Sequence, residues 1–150
     1  MADWQPLQGP FGVSAGDTAI DTLNPQEVLK ALYDHQLLVF RNQTLSVSQF
    51  EALARCLGEL DQYPYAEPVA ESSYVVPIVK MPHERHNFGG DWHTDTSYLE
   101  RPPAVTMLLA GEVPLAGGDT LFADMHRAYT DLSPGLQACL SHLSAINTSA

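Results

Sequence analysis

Apolar side chains recur at helical intervals in two stretches of the first sixty residues. Asn24-Pro25-Gln26-Glu27 reads as a helix start, with Asn at the cap, Pro at the first helical position and Glu at the third. Val28, Leu29, Leu32 and Tyr33 follow as its apolar stripe, and the helix is predicted to end near His35. Ser46-Val47-Ser48-Gln49 repeats the cap signature, and Val47, Phe50, Leu53, Ala54 and Leu57 keep helical spacing up to a stop at Gly58. Between the two, Leu37-Leu38-Val39-Phe40 is a continuous apolar run of strand length. Residues 1–23 are rich in Gly, Pro, Asp and Thr around Phe11, Val13 and Ile20, which predicts loop with one or two short strands.

Past Gly58 the pattern changes. Residues 59–73 are irregular, with Pro64, Pro68 and the tyrosines Tyr63 and Tyr65. Residues 74–80 predict a strand that Pro77 confines to an edge or bulge, because proline donates nothing to a ladder. Residues 83–90 predict a polar, glycine-bearing rim loop, and Asp91-Trp92-His93-Thr94-Asp95-Thr96-Ser97-Tyr98 a strand rich in Thr, Tyr and Trp. Arg101-Pro102-Pro103 suits a turn. Residues 104–110 then read as a buried strand, and Gly117-Gly118-Asp119-Thr120-Leu121-Phe122 as a turn entering another. Asp124 caps a short helix through Tyr129, and Ser133-Pro134 starts one carrying Leu136, Leu140 and Leu143. The sum is an α+β chain, one domain without repeats or linkers.

Composition narrows the function. With 150 residues, 45% of them hydrophobic, one core is affordable. A net charge of −11 and only seven Lys and Arg argue against a nucleic-acid surface, which needs clustered cations to meet phosphates. Cys56 and Cys139 are too few for a disulfide framework, no apolar run approaches the ~20 residues of a membrane span, and no basic leader opens the chain. A reduced, cytoplasmic setting is the expectation.

The chemistry centres on His93-x-Asp95. On a strand, residues two apart point to one face with Cα atoms roughly 6.5 Å apart. Both side chains then reach one metal ion, as two of the three ligands of a 2-His-1-carboxylate site. A His hydrogen-bonded to a nearby Asp, without metal, is the commoner fate of such a pair, so context decides. Asp91-x-His93 also opens binuclear metallophosphoesterase sites, but Gly118-Asp119-Thr120-Leu121-Phe122 lacks the second Asp those enzymes need, and no Asn-His follows.

Trp92-His93-x-Asp95, the Pro102-Pro103 pair and Gly117-Gly118-Asp119-Thr120-Leu121-Phe122, at this spacing, resemble the taurine dioxygenase and 2,4-dichlorophenoxyacetate dioxygenase (TauD/TfdA) family of Fe(II)/2-oxoglutarate-dependent oxygenases. The resemblance implies a double-stranded β-helix, or jelly roll, with flanking helices and iron in its cavity. It also implies hydroxylation of a small organic, anionic substrate by O2, with 2-oxoglutarate converted to succinate and carbon dioxide. Carried over by position, His93 and Asp95 become iron ligands, and Thr120 gives its hydroxyl to a 2-oxoglutarate carboxylate. Trp92 is read as a wall of the core, Asp91 as facing away from the metal or, if the strand is regular, as sharing the metal face in a supporting role, and His83 and His86 as solvated rim groups. His35, His126 and His142 are read as surface groups.

The family's distal His and the Arg that grips the other 2-oxoglutarate carboxylate have no counterpart in these residues. Residues 1–150 are therefore expected to be the N-terminal part of a single dioxygenase domain, an incomplete jelly roll that is inactive alone. The rival expectation is a truncated, non-catalytic chain or interaction module of that fold. Either way the uncovered inner face, with Leu108, Leu121 and Phe122, is expected to favour self-association. The His and Asn that hold sulfonate in taurine dioxygenase fall by position at Tyr63 and Gly89, which implies a larger or less polar substrate than taurine.

Overall fold

The computed structural model describes residues 2–148. Gln5–Pro6 (β1) runs antiparallel to Val13–Ser14 (β2), with Gln5 opposite Ser14 and Pro6 opposite Val13. Leu38–Val39 (β3) lies parallel to β2 on its other side, Val13 opposite Leu38 and Ser14 opposite Val39. A parallel pair needs a crossover, and Pro25–His35 (α1) supplies it, preceded by a 3-10 turn at Ile20–Thr22. The ladder continues beyond the strands: Val13 N donates to Leu37 O at 2.9 Å, Ala15 N to Val39 O at 3.0 Å and Arg41 N to Gly16 O at 2.8 Å. Gly12 makes the tight approach possible. At its φ of +88° a Cβ would stand 2.9 Å from Leu7 Cδ1 and 3.1 Å from Leu37 Cβ, so only glycine fits.

Local signals set the helices. Asn24 Oδ1 accepts from Gln26 N at 2.9 Å to cap α1, and Glu27 Oε1 accepts from Ala2 N at 2.8 Å, fastening the N-terminal segment to the helix. Helix α1 ends in a left-handed Gln36, φ 68°. Val47–Leu57 (α2) has a reciprocal capping box: Gln49 N donates to Ser46 Oγ, and Ser46 N to Gln49 Oε1. Gly58 ends α2 in extended backbone, φ 170°, and not in the left-handed form expected of a glycine stop. Met125–Thr130 (α3) and Pro134–Leu140 (α4) are capped by Asp124 and Ser133.

The hydrophobic core is small and early. Val13, Ala15, Ile20, Val28 and Ala31 are buried, with α1 lying against both β3 and α2 and Trp4 meeting Phe40 edge-on at 5.7 Å between centroids. Two stripe assignments need correction. Tyr33 is exposed, because five residues at 100° each turn it about 140° away from Val28; Ala31 takes the inward position. No residue of α2 is fully buried.

The strands expected at 74–80, 91–98, 104–110 and 117–122 are not formed, and no jelly roll is closed among the described residues. A strand satisfies its backbone only through a neighbour, and none of these segments has a ladder partner among the described residues. Their apolar side chains stand open accordingly, Leu108, Leu121 and Phe122 among them. The observed architecture is a three-stranded mixed sheet with helices, followed by an extended chain that carries two short helices.

Candidate functional site

A bonded turn leads from the helices towards the site. On α2, Glu51 pairs with Arg55 at 2.7 Å and accepts the hydroxyl of the buried Ser72, while Ser72 Oγ accepts from Tyr74 N at 3.0 Å and Val75 N at 3.3 Å. Arg55 lies 5.0 Å from the Tyr74 ring centroid, a cation–π contact. The 69–75 turn, closed by Val69 N to Val75 O at 2.9 Å, is thereby pinned to α2. Further on, Lys80 Nζ donates to the carbonyls of Glu84 and, at 2.7 Å, His86, folding the rim loop around one ammonium group.

His93 and Asp95 meet. His93 Nε2 lies 3.1 Å from Asp95 Oδ1. They converge through a turn and not along a strand: Asp95 opens a 95–98 turn in which Thr96 takes φ 47° and Leu99 N bonds Thr96 O at 3.0 Å. Three short-range supports hold the pair. His93 Nδ1 lies 2.7 Å from the Asp91 carbonyl oxygen, and since a carbonyl only accepts, Nδ1 carries the proton. Thr106 Oγ1 donates to Asp95 Oδ2 at 2.7 Å. Gly89, at φ 62°, lies against the imidazole, where a Cβ would stand 3.0 Å from Cε1.

This arrangement fixes the electronic situation between the two residues. With Nδ1 protonated, a neutral His93 turns the Nε2 lone pair onto a carboxylate oxygen, and two electron-rich atoms need a cation between them. A proton serves: the Asp91 carbonyl, and then the negative charge of Asp95, hold the His93 pKa above its ordinary value. A divalent metal serves equally, because cis donors about 2.1 Å from an octahedral ion stand about 3.0 Å apart. The donor set suits Fe(II) as an imidazole and a carboxylate. Among the described residues no third His, Cys, Asp or Glu joins them.

Aromatic rings flank the pair. Phe88 meets Tyr63 edge-on at 6.4 Å, Tyr63 meets Tyr65 at 5.8 Å, and Tyr65 meets Tyr98 at 5.8 Å. This row joins the residue before Gly89 to the last residue of the Asp95 turn, so Tyr63, Gly89, His93 and Asp95 belong to one neighbourhood. The Tyr98 hydroxyl and Thr96 Oγ1 are buried without a hydrogen-bond partner among the described residues, and desolvation raises the Tyr98 pKa.

Other expectations fare differently. Thr120 is exposed, and no hydrogen bond ties it to His93 or Asp95 among the described residues. Trp92, read as a wall of the core, is 70% exposed because no second layer covers it. Asp91 meets His93 through its backbone carbonyl, and the charge of its carboxylate adds a smaller push that raises the His93 pKa. His83 and His86 are exposed on the rim, as read. Residue types alone did not single out Thr106, Phe88 or Tyr98; the one available signal for Tyr98 was its place within the His-x-Asp stretch.

No helix among the described residues is long and apolar enough to cross a membrane. Residues 3–150 match the family model described as "Taurine catabolism dioxygenase TauD, TfdA family". The chain is 28% identical over 151 residues to an alpha-ketoglutarate-dependent sulfate ester dioxygenase of Pseudomonas putida, covering 97% of this chain and 49% of that protein. It is 33% identical over 161 residues to an alpha-ketoglutarate-dependent 2,4-dichlorophenoxyacetate dioxygenase of Cupriavidus pinatubonensis, covering 93% and 56%. Over 60 residues it is 50% identical to an alpha-ketoglutarate-dependent sulfonate dioxygenase of Saccharomyces cerevisiae, covering 40% and 15%. The chain spans about half the length of the first two relatives. The match from residue 3 to residue 150 makes this chain a member of the TauD/TfdA family of 2-oxoglutarate (alpha-ketoglutarate)-dependent dioxygenases.

Proposed function

We propose that these residues form the N-terminal part of an Fe(II)- and 2-oxoglutarate-dependent dioxygenase domain that hydroxylates a small organic anion. His93 and Asp95 are two of its iron ligands. The observation that carries this reading is the 3.1 Å approach of His93 Nε2 to Asp95 Oδ1, with Nδ1 already committed to the Asp91 carbonyl. Bound iron would supply the activation of O2 that couples 2-oxoglutarate decarboxylation to attack on a substrate C–H bond. The chain's own residues do the rest. His93 and Asp95 hold the metal, the Asp91 carbonyl sets the imidazole tautomer, and Thr120 offers its hydroxyl to a 2-oxoglutarate carboxylate.

Substrate would lie along the Phe88, Tyr63, Tyr65 and Tyr98 rings. Gly89 offers an anion no side chain, and each charged hydrogen bond forgone costs about 1.5–3 kcal/mol. A larger or less polar substrate than taurine follows. Succinate release by the whole protein over a panel of sulfonates, sulfate esters and aryloxyalkanoates tests this. The expected result is iron-dependent turnover, lost in His93→Ala, with taurine among the weaker substrates. Taurine as best substrate by a wide margin overturns the substrate reading, and iron-independent turnover overturns the class.

A second reading, a non-catalytic half that associates with another copy of itself, is favoured by the open side chains of Leu115, Leu121 and Ile146. Both readings allow the 150-residue chain to self-associate, so iron-dependent succinate release by the whole protein separates them: turnover supports the first and its absence the second.

A further inference from the structure

Asp95 is the more adaptable of the two proposed ligands, because a carboxylate has two equivalent oxygens and a broad, nearly two-fold terminal torsion. Left to itself it would present either oxygen, or both, to a cation. In this structure the two oxygens are not equivalent. Oδ1 faces His93 Nε2 at 3.1 Å, whereas Oδ2 accepts the Thr106 hydroxyl at 2.7 Å. That bond is of charge-assisted type and spans eleven residues, across Pro102-Pro103. Among the described residues it is the side-chain hydrogen bond that joins the segment after the prolines to the His-x-Asp segment.

We propose that Thr106 is the positioning residue of the metal site: its hydroxyl occupies Asp95 Oδ2 so that Oδ1 alone is presented beside His93 Nε2. The inference rests on the reading of His93 and Asp95 as metal ligands and extends it to a residue that touches neither metal nor substrate. The hydroxyl acts in two ways. It stops the carboxylate rotating, so the pair is arranged before the metal arrives, and it withdraws charge from Asp95, favouring one-oxygen ligation. Ser would supply the same hydrogen bond. Val, with the same branched shape, would not.

The test is a Co(II) titration of the full 150-residue chain, followed by calorimetry and by the visible absorption of the bound ion. Thr106→Val is expected to weaken Co(II) binding about 10- to 100-fold and to change the cobalt spectrum. Thr106→Ser is expected to restore both, and Thr106→Ala to behave as Thr106→Val does. Far-UV circular dichroism and the melting midpoint of each metal-free variant are expected to match the parent. Parental affinity and spectrum in Thr106→Val and Thr106→Ala, with binding lost in His93→Ala, overturn the role of Thr106 while leaving the ligand pair standing. Unchanged binding in His93→Ala and Asp95→Ala overturns the reading beneath it. Loss of the metal-free fold in both hydroxyl-less variants, or failure of Thr106→Ser to recover binding, assigns Thr106 a structural part and overturns the proposal.

Discussion

Residues 2–57 and residues 74–148 carry comparable apolar content and reach opposite ends. The first region buries Val13, Ala15, Ile20, Val28 and Ala31 beneath a sheet whose three strands and crossover helix all fall within its own span. The second buries no large side chain at all; Leu115 and Ile146 stand 109% and 92% exposed. The difference lies in what each element needs. A helix satisfies its backbone within itself once capped, whereas a strand is stable only beside another. The proposed site lies in the open region, so short-range bonds from the Asp91 carbonyl and Thr106, and the clearance at Gly89, hold it.

The largest expected effect falls on the open region's chemistry alone. His93→Ala and Asp95→Ala should each lower Co(II) affinity by more than about 100-fold, beyond what a supporting residue contributes, and leave the melting midpoint unchanged. A midpoint that fell with them would show the site to be part of the cooperative core and break the comparison. Next in size, Val28→Ala should lower the unfolding free energy by about 2 kcal/mol through lost burial and an unfilled space. Leu121→Ser should stay within about 0.5 kcal/mol and reduce self-association. Chemical denaturation measures both, and equal losses would mean that Leu121 is buried in solution.

Caps sharpen the contrast further. Ser46→Ala removes an acceptor from a reciprocal box on an eleven-residue helix and should cost about 1 kcal/mol. Ser133→Ala, on a seven-residue helix in the open region, away from the α1–α2 packing, should shift the same transition by less than half of that, about 0.5 kcal/mol or below. The smallest effect concerns pH. The Ser72 hydroxyl first, and the Arg55 guanidinium second, lower the Glu51 pKa. That stabilisation is therefore complete above the ordinary glutamate value of about 4.3 and fades as pH falls through the lower folded value. Glu51→Gln should lower the neutral plateau slightly and flatten the acid limb below about pH 4.3, so that variant and parent converge at low pH; an unchanged neutral plateau would contradict the assignment.

The sequence was most informative where the physics is local. Asn24, Ser46, Asp124 and Ser133 each accept a backbone N–H at the helix start expected of them. The Leu38–Val39 strand was legible as an apolar run, but its parallel pairing with β2 was not, since register belongs to the pair. The expectation of strands at 91–98 and 104–110 failed for the same reason: strand-favouring residues express themselves only beside a partner. In the site, residue type and spacing singled out His93 and Asp95. Neither could show that a backbone carbonyl at Asp91 sets the tautomer, that Thr106 takes one oxygen of Asp95, or that Trp92 lies open.

The central claim is that His93 and Asp95 share one divalent ion. A crystal structure of the whole protein grown anaerobically with Mn(II) and 2-oxoglutarate, phased on the manganese anomalous signal, tests it most directly. The expected result is one anomalous peak within bonding distance of His93 Nε2 and a single oxygen of Asp95, with His93 Nδ1 still on the Asp91 carbonyl. A peak held by other residues, or none at these two, would contradict it.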